Sequence, residues 1–251
     1  MRLHTSFLDR PIAHRALHDR ASGRVENAPS SVSAAIDAGY GIEIDLQLSK
    51  DGQAMVFHDD YLYRLTGQSG MVRDYTAHEL GQMKLIGSDE TIPTLETILE
   101  LVSGQAPLLI ELKDQTLALV GTDSELEKAT CANLQGYQGE VALMSFNPHC
   151  VAHCQNFAPD RPRGLTTCSF APSDWPEVDP TLLATLMDMP HFDQVGACFI
   201  SHDVNDLSSN IVQAKKSAGH PILCWTVKSQ DQADTARLIA DNITFEGFLP
   251  V

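Results

Sequence analysis

Residues 41–59 read GIEIDLQLSKDGQAMVFHD, and the rest of the chain is best interpreted from this stretch outward. Two β-rich runs flank Asp51-Gly52, a dipeptide that favours a two-residue hairpin turn because both residues tolerate positive φ. Such a turn places Asp45 directly across from His58. Glu43 precedes Asp45 by two residues and therefore points to the same face of the strand. The stretch predicts either a ribbon that gathers two carboxylates and an imidazole or an ordinary solvated hairpin.

The composition of the chain argues against several classes of protein. The chain has 251 residues and a formal net charge of −16, which argues against nucleic acid as a partner because a duplex would be repelled. No apolar run reaches the 18 or so residues that a membrane span needs, and the first ten residues lack a secretory signal. The six cysteines are scattered, which is typical of reduced thiols in a cytoplasmic protein. We therefore expect a cytoplasmic protein without a transmembrane segment.

Strand and helix patterns alternate along the chain. Strand patterns lie at residues 11–16, 41–48, 107–113, 141–146, 164–167, 197–201, 222–227 and 244–249. Helical patterns lie between them at 30–38, 94–102, 123–134, 148–157, 180–187, 206–218 and 230–239. This alternation predicts parallel βαβ units and, with eight strands, a closed (β/α)₈ TIM barrel formed by residues 1–251 as a single domain. Residues 60–92 are too many for a simple loop and are predicted to form an insertion subdomain over the barrel mouth.

Charged residues recur at the predicted strand ends, where active sites of such barrels lie. His14 and Arg15 end the first strand, as Glu43 and Asp45 end the second. The third strand reads LLIELK and ends in Glu111 and Lys113, again two residues apart. An ion pair on an otherwise apolar strand is either a structural salt bridge or part of a site, because its burial costs free energy. Three strand ends of this kind together indicate a site.

The sequence resembles the glycerophosphodiester phosphodiesterases, a family of barrel enzymes. The resemblance is dense over residues 11–113 and continues thinly, in order, to Val227. It rests on His14-Arg15, Glu26-Asn27, Glu43-x-Asp45, Lys50-Asp51-Gly52, His58-Asp59, Leu62-x-Arg64-x-Thr66, Gly70, Glu79-Leu80, Ile92-Pro93-Thr94-Leu95, Glu111-Leu112-Lys113, Ser145-Phe146 and Trp225-Thr226-Val227. The chain departs from the family pattern at Ala16, Ala28 and Lys228, and it ends in FEGFLPV where the family usually has Thr-Asp.

The resemblance implies a role for each matching residue. Glu43, Asp45 and Glu111 would bind one divalent cation, Mg²⁺ or Ca²⁺. His14 and His58 would be the acid–base pair. Arg15 and Lys113 would hold the substrate phosphate. The implied reaction is hydrolysis of a small-molecule glycerophosphodiester to glycerol phosphate and an alcohol, by attack of either water or a neighbouring substrate hydroxyl.

Phosphoryl-transfer chemistry independently suits these residue types, because cations stabilise charge on the phosphate oxygens and imidazoles move protons. Phe146 and Trp225 are candidates to line the substrate site, although both could equally fill the barrel. Two other functions remain open. One is a catalytically silent barrel that binds phosphorylated ligands or metal, which would not need both histidines. The other is a Mg²⁺-dependent lyase or aldolase using the same carboxylates.

Overall fold

A closed β-barrel forms the centre of the structure, a computed structural model that describes residues 1–251. Eight parallel strands close into a ring because the first strand pairs with both the second and the last. The ninth strand, β3, adds antiparallel to β2 as the return of the hairpin. The strands are β1 (Ile12–Ala13), β2 (Gly41–Leu48), β3 (Ala54–Val56), β4 (Leu108–Leu112), β5 (Val141–Ser145), β6 (Arg163–Thr167), β7 (Phe199–Asp203), β8 (Ile222–Val227) and β9 (Asn242–Phe245). The predicted TIM barrel is confirmed.

Helices cover the outside of the barrel between successive strands. Several begin at side-chain caps: Thr94 accepts a hydrogen bond from the backbone N–H of Thr97, and Thr76 and Glu79 form a capping box. The α-helices are α1 (Ser6–Asp9), α2 (Pro29–Ala38), α3 (Tyr63–Thr66), α4 (Ala77–Leu80), α5 (Leu95–Val102), α6 (Glu125–Asn133), α7 (Pro148–Phe157), α8 (Pro180–Met187), α9 (Asn210–Ser217) and α10 (Gln230–Ala236). None of these helices has the length and apolar character required to cross a bilayer.

The β2–β3 hairpin differs from the sequence prediction by one residue. Leu46 pairs with Val56 and Leu48 with Ala54, and the backbone N–H of Phe57 donates to the carbonyl of Asp45 at 3.0 Å. Asp45 therefore lies opposite Phe57, and the predicted pairing of Asp45 with His58 was wrong. The reason is a three-residue loop, Lys50 to Gly52, in which Gly52 adopts φ 79°. His58 reaches the barrel mouth from beyond the end of β3.

The floor of the barrel is apolar and is closed by the N-terminal segment. Phe7 of α1 packs with Ile12, Leu109, Phe199 and Leu223, all fully buried. Gly164 on β6 leaves room for the Phe199 ring, because a Cβ at residue 164 would lie 2.6 Å from that ring. The charged groups of the mouth lie at the opposite, carboxyl end of the strands.

Residues 57–92 provide most of a small second core beside the mouth. Of its ten buried apolar side chains, three (Val25, Ala28 and Met55) lie outside this segment, and the other seven lie within it. Two of its residues, Tyr61 and Tyr63, remain exposed and face the groove described below. The segment is thus anchored by apolar packing against β3 and the residues before α2, while it borders the mouth.

Asn242, the first residue of β9, connects that strand to the N-terminal segment that closes the floor. Its substitution tests how much this connection stabilises the fold. Its buried side-chain amide donates to the carbonyls of Phe7 at 2.7 Å and Arg10 at 2.6 Å. Because Asn242→Ala leaves two carbonyls without their donor, we expect it to lower the free energy of unfolding by roughly 2–3 kcal/mol in urea denaturation. Asn133→Ala is the control, since that amide bonds only to Ala129 within α6. Equal losses in the two variants would contradict this role.

Candidate active site

Three carboxylates converge at the mouth from two neighbouring strands. Glu43 and Asp45 lie on β2, and Glu111 on β4 is paired in register with Asp45. Side chains two residues apart share a face, so all three point into the barrel. One oxygen of each lies within 4.8 Å of the others, and all three residues are buried. The structure therefore brings together the three residues that the sequence indicated as metal ligands.

The charge of this carboxylate triad is only partly balanced by the protein. The Lys113 ammonium lies 2.8 Å from Asp45 and 2.5 Å from Glu111. Burial raises the pKa of Asp45, but the charges of Lys113, His58 and Arg15 outweigh burial and leave that pKa below its usual range. Burial, with the neighbouring charges of Asp45 and Glu111, raises the pKa of Glu43. The protein alone thus disfavours three ionised carboxylates at this position.

Arg15 is fixed by an unusual backbone conformation. Arg15 and Ala16 both have positive φ, at 52° and 64°, which is uncommon for residues with a Cβ and occurs at functional sites. This conformation lets the Arg15 backbone N–H donate to the Glu43 carboxylate at 2.7 Å. Ala16, where the chain departs from the family pattern, thus has a conformation that glycine adopts more readily. The Arg15 side chain bonds to Glu26 at 2.8 Å, while its buried Nε makes no hydrogen bond.

His14 is oriented by a carboxylate from the other end of the chain. Its Nδ1 lies 2.8 Å from the carboxylate of Glu246, the first residue after β9. That contact lowers the pKa of Glu246 to about 2. Burial lowers the pKa of His14, so the neutral imidazole is favoured near pH 7. When Nδ1–H donates to the carboxylate, Nε2 is left as the proton acceptor.

His58 has a carboxylate partner as well. Asp59 accepts from His58 Nδ1 at 2.8 Å and from Arg64 Nε at 2.5 Å. Arg64 also binds Glu26, which in turn binds Arg15. Burial raises the pKa of Glu26, but hydrogen bonds and charge from the two arginines outweigh it and bring that pKa to about 2. A continuous chain of ion pairs therefore links His58 to Arg15 around the rim.

A cavity of about 100 Å³ lies between these groups and opens into a wider groove. All nine residues that the sequence indicated line it: His14, Arg15, Glu43, Asp45, His58, Glu111, Lys113, Phe146 and Trp225. The groove, of about 1140 Å³, shares His58, Glu111, Lys113 and Phe146 with the cavity. Phe146 stands where the two spaces meet, with its ring centroid 5.0 Å from Trp175 and 5.5 Å from Trp225.

Sequence reasoning did not assign roles to Glu246, Asp59, Arg64 and Asn27. Glu246 was predicted to lie within a strand over 244–249, whereas β9 ends at Phe245 and leaves it at the mouth. Asn27 binds the Asp45 carboxylate through its side-chain amide at 2.9 Å. The only sequence signal for Asn27, Asp59 and Arg64 was their place in the family motifs.

Comparisons with known proteins agree with this geometry. A model of the glycerophosphoryl diester phosphodiesterase family matches residues 14–242. A glycerophosphodiester phosphodiesterase from Caldanaerobacter subterraneus subsp. tengcongensis is 32% identical over 239 residues, which cover 91% of this chain and 88% of the relative. Among solved structures, an Oleispira antarctica phosphodiesterase in complex with its product sn-glycerol-3-phosphate superposes with a TM-score of 0.78 at 25% identity. That match covers 96% of this chain and 94% of the other.

A second solved structure, from Silicibacter pomeroyi, shares the fold with a TM-score of 0.75 at 22% identity, covering 97% of this chain and 91% of the other. The family match extends over most of the chain and includes the charged residues of the mouth from His14 to Lys113, whereas Glu246 lies beyond it. The chain belongs to the glycerophosphoryl diester phosphodiesterase family and is a phosphoric diester hydrolase.

Proposed function

We propose that this protein hydrolyses glycerophosphodiesters to glycerol phosphate and an alcohol, with one divalent cation and two histidines. The observation that carries the proposal is the cavity itself. Three buried carboxylates, two cationic side chains and two imidazoles with carboxylate partners surround one space of about 100 Å³. The bound sn-glycerol-3-phosphate product of the Oleispira antarctica relative supports the same substrate class.

Glu43, Asp45 and Glu111 are the residues that would hold the cation. They offer only oxygen donors, which Mg²⁺ and Ca²⁺ both prefer. The raised pKa of Glu43 reflects burial and the repulsion of the two neighbouring carboxylates, a cost that a cation would remove. When bound there, a cation would supply fixed positive charge to stabilise the negative charge of the phosphate. The donor set therefore fits a hard divalent cation of either kind.

The two histidines are proposed to move the protons of the reaction. One takes the proton of the attacking hydroxyl or water, and the other donates a proton to the leaving alkoxide oxygen. Glu246 and Asp59 hold the rings through Nδ1, which fixes the tautomer and directs Nε2 to proton transfer. Burial favours neutral His14, the form that accepts a proton.

Arg15 and Lys113 are proposed to hold the phosphate. The buried Arg15 Nε has no hydrogen-bond acceptor in the protein, and Arg15 lines the cavity. Lys113 contacts two of the three carboxylates, those of Asp45 and Glu111. The ammonium has three donors, so one remains for a phosphate oxygen.

A catalytically silent barrel that binds phosphorylated ligands is the alternative. The contacts of the histidines favour an enzyme, because a binding module would not need two imidazoles each oriented by its own carboxylate. We also infer a cytoplasmic location, since all six cysteines are free and five of them are buried. Cell fractionation with an antibody to the protein would test the location directly.

Substitutions of Glu111 and Lys113 are expected to affect different steps, metal binding in the first case and phosphate binding in the second. Glu111→Gln removes a ligand charge and should weaken Mg²⁺ or Ca²⁺ binding by about tenfold or more, one decade being about 1.4 kcal/mol. Lys113→Met removes a positive charge from the site, so metal affinity should stay equal or rise. Its kcat/KM should fall by roughly 10–150-fold, because a charge-assisted hydrogen bond of about 1.5–3 kcal/mol is lost. Calorimetric titration measures the metal affinity, and kinetics with a diester substrate measure kcat/KM.

Chelation is the accompanying control. Turnover of glycerophosphocholine should cease in EDTA and return with Mg²⁺ or Ca²⁺. Full activity after verified metal removal, or equal loss of metal affinity in the two variants, would overturn this division of roles.

The histidine roles are tested by substitution. His14→Ala and His58→Ala should each lower kcat by about 10²–10⁴-fold, the range for a general acid or base. Glu246→Gln should lower kcat less than His14→Ala, since the imidazole remains but loses its orientation. Glu140→Gln is the matched control, because Glu140 pairs with His4 at 3.7 Å, outside the cavity. A near-normal kcat in either histidine variant, on a substrate with a poor leaving group, would exclude that histidine as the general acid or base.

The segment 60–92 is proposed to influence which alcohol is accepted. Tyr61 and Tyr63 are 58% and 73% exposed and line the groove into which the cavity opens. Replacing both with alanine should change KM unequally for glycerophosphocholine, glycerophosphoethanolamine and bis(p-nitrophenyl) phosphate. Leu238→Ala is the control, an 80% exposed residue that does not line the groove. Changes in KM by the same factor for all three diesters, or no change, would refute the proposal.

A further inference from the structure

Arg64 lies on the rim of the mouth, and the proposed reaction gives it no role. Its guanidinium donates four hydrogen bonds to two carboxylates. Nε and Nη2 donate to the two oxygens of Asp59 at 2.5 and 2.8 Å. Nη1 and Nη2 donate to the two oxygens of Glu26 at 2.8 and 2.6 Å. Each carboxylate is thus bound through both of its oxygens, which fixes its orientation as well as its distance.

Both carboxylates also contact a residue of the proposed mechanism. Asp59 accepts the hydrogen bond of His58 Nδ1 at 2.8 Å. Glu26 accepts from Arg15 Nη1 at 2.8 Å, through the same oxygen that Arg64 Nη2 contacts. His58 is a proposed acid or base, and Arg15 is a proposed phosphate ligand. The Arg64 side chain therefore connects the carboxylate partners of both.

The backbone of Arg64 is anchored independently of these ion pairs. Arg64 belongs to the short helix α3, and the flanking Leu62 and Leu65 are buried in the second core. The Arg64 side chain is 41% exposed and lines the groove. Apolar packing thus holds the helix while the guanidinium extends to the mouth. Removal of the guanidinium would leave this packing in place.

These contacts differ from those of an ordinary surface ion pair, which balances one charge. Arg64 binds two carboxylates at once, and each of them is shared with one functional side chain. A lysine would balance the same charges, but only a planar guanidinium offers parallel pairs of donors. The arrangement therefore fixes the positions of the two carboxylates relative to each other.

We propose that Arg64 is a positioning residue for the reaction, an inference that rests on the proposed function. It acts on His58 through Asp59 and so maintains the ring orientation that proton transfer requires. It acts on Arg15 through Glu26 and so maintains the place of that guanidinium beside the phosphate. Loss of Arg64 is therefore expected to lower kcat through His58 and to raise KM through Arg15.

Steady-state hydrolysis of glycerophosphocholine in saturating Mg²⁺ or Ca²⁺ tests this role. Arg64→Ala should lower kcat by about 10- to 100-fold, because a small displacement of a reacting group can cost that much. Its KM should rise. Arg64→Lys keeps the charge but loses the parallel donors, so its kcat should remain well below that of the wild type. It also provides the test if Arg64→Ala does not fold.

Arg237→Ala is the matched control. Arg237 is similarly exposed and pairs with Asp234 at 3.8 Å, but it lines neither the cavity nor the groove. Its substitution should leave kcat and KM at their wild-type values. Melting temperatures of all variants would show which of them remain folded.

Double substitutions distinguish a positioning role from a general loosening of the fold. Asp59→Ala already removes the connection to His58, so adding Arg64→Ala should lower kcat by about twofold at most. Glu26→Ala already removes the connection to Arg15, so the same addition should leave KM nearly unchanged. Losses that multiply independently in both backgrounds would contradict the proposed connections.

Chemical rescue gives a readout that a purely structural role would not move. Because the Arg64 side chain lines the groove, its removal leaves a space that a small ion in solution can reach. Methylguanidinium should raise the kcat of Arg64→Ala. Methylammonium at the same concentration carries the charge without the planar donors and should not. Adding Asp59→Ala to that variant should abolish the rescue.

The outcomes separate this inference from the proposed function. Wild-type kcat and KM in Arg64→Ala or in Arg64→Lys would overturn it, as would equal rescue by the two ions. If the wild-type protein hydrolyses no glycerophosphodiester, the proposed function itself fails. An active wild-type protein together with any of the contrary results would mean that the inference alone is wrong.

Discussion

Three buried carboxylates held within 4.8 Å of one another are the constraint on which the barrel mouth depends. Like charges at this distance repel strongly where water is excluded. The surrounding residues reduce that repulsion: Lys113 contacts Asp45 and Glu111, Asn27 donates to Asp45, and the Arg15 backbone donates to Glu43. The positive φ of Arg15 is a local cost that makes the last of these bonds available. What the protein leaves unbalanced is the charge that a divalent cation would neutralise.

The two imidazoles are oriented in the same way, since the Nδ1 of each is hydrogen-bonded to a carboxylate. The two carboxylates reach the site differently. Asp59 is adjacent to His58 and is itself held by Arg64, so its position depends on the segment 60–92. Glu246 reaches His14 only because β9 pairs with β1. Packing of the segment beside the mouth and closure of the barrel therefore each support one histidine.

Much of this architecture could be predicted from the sequence, because regular structure has a period. Alternation of strands and helices gave the barrel, and the i, i+2 spacings of Glu43 with Asp45 and Glu111 with Lys113 placed them on inward faces. Contacts between irregular segments leave no periodic pattern in the sequence. Glu26 and Arg64 lie in separate loops and short helices, so their ion pair could not be foreseen. The hairpin register was missed by one residue because the loop closes with three residues around Gly52.

The hydrogen bond between His14 and Glu246 spans 232 positions of the chain. Contacts of such sequence separation form late in folding, because the intervening chain must first be ordered. During synthesis the N-terminal strands emerge first, so the carboxylate triad and His58 are available well before β9 leaves the ribosome. His14 acquires its carboxylate partner only when the ring closes. The proposed cation ligands would thus be present on a nascent chain before the proposed acid–base pair is complete.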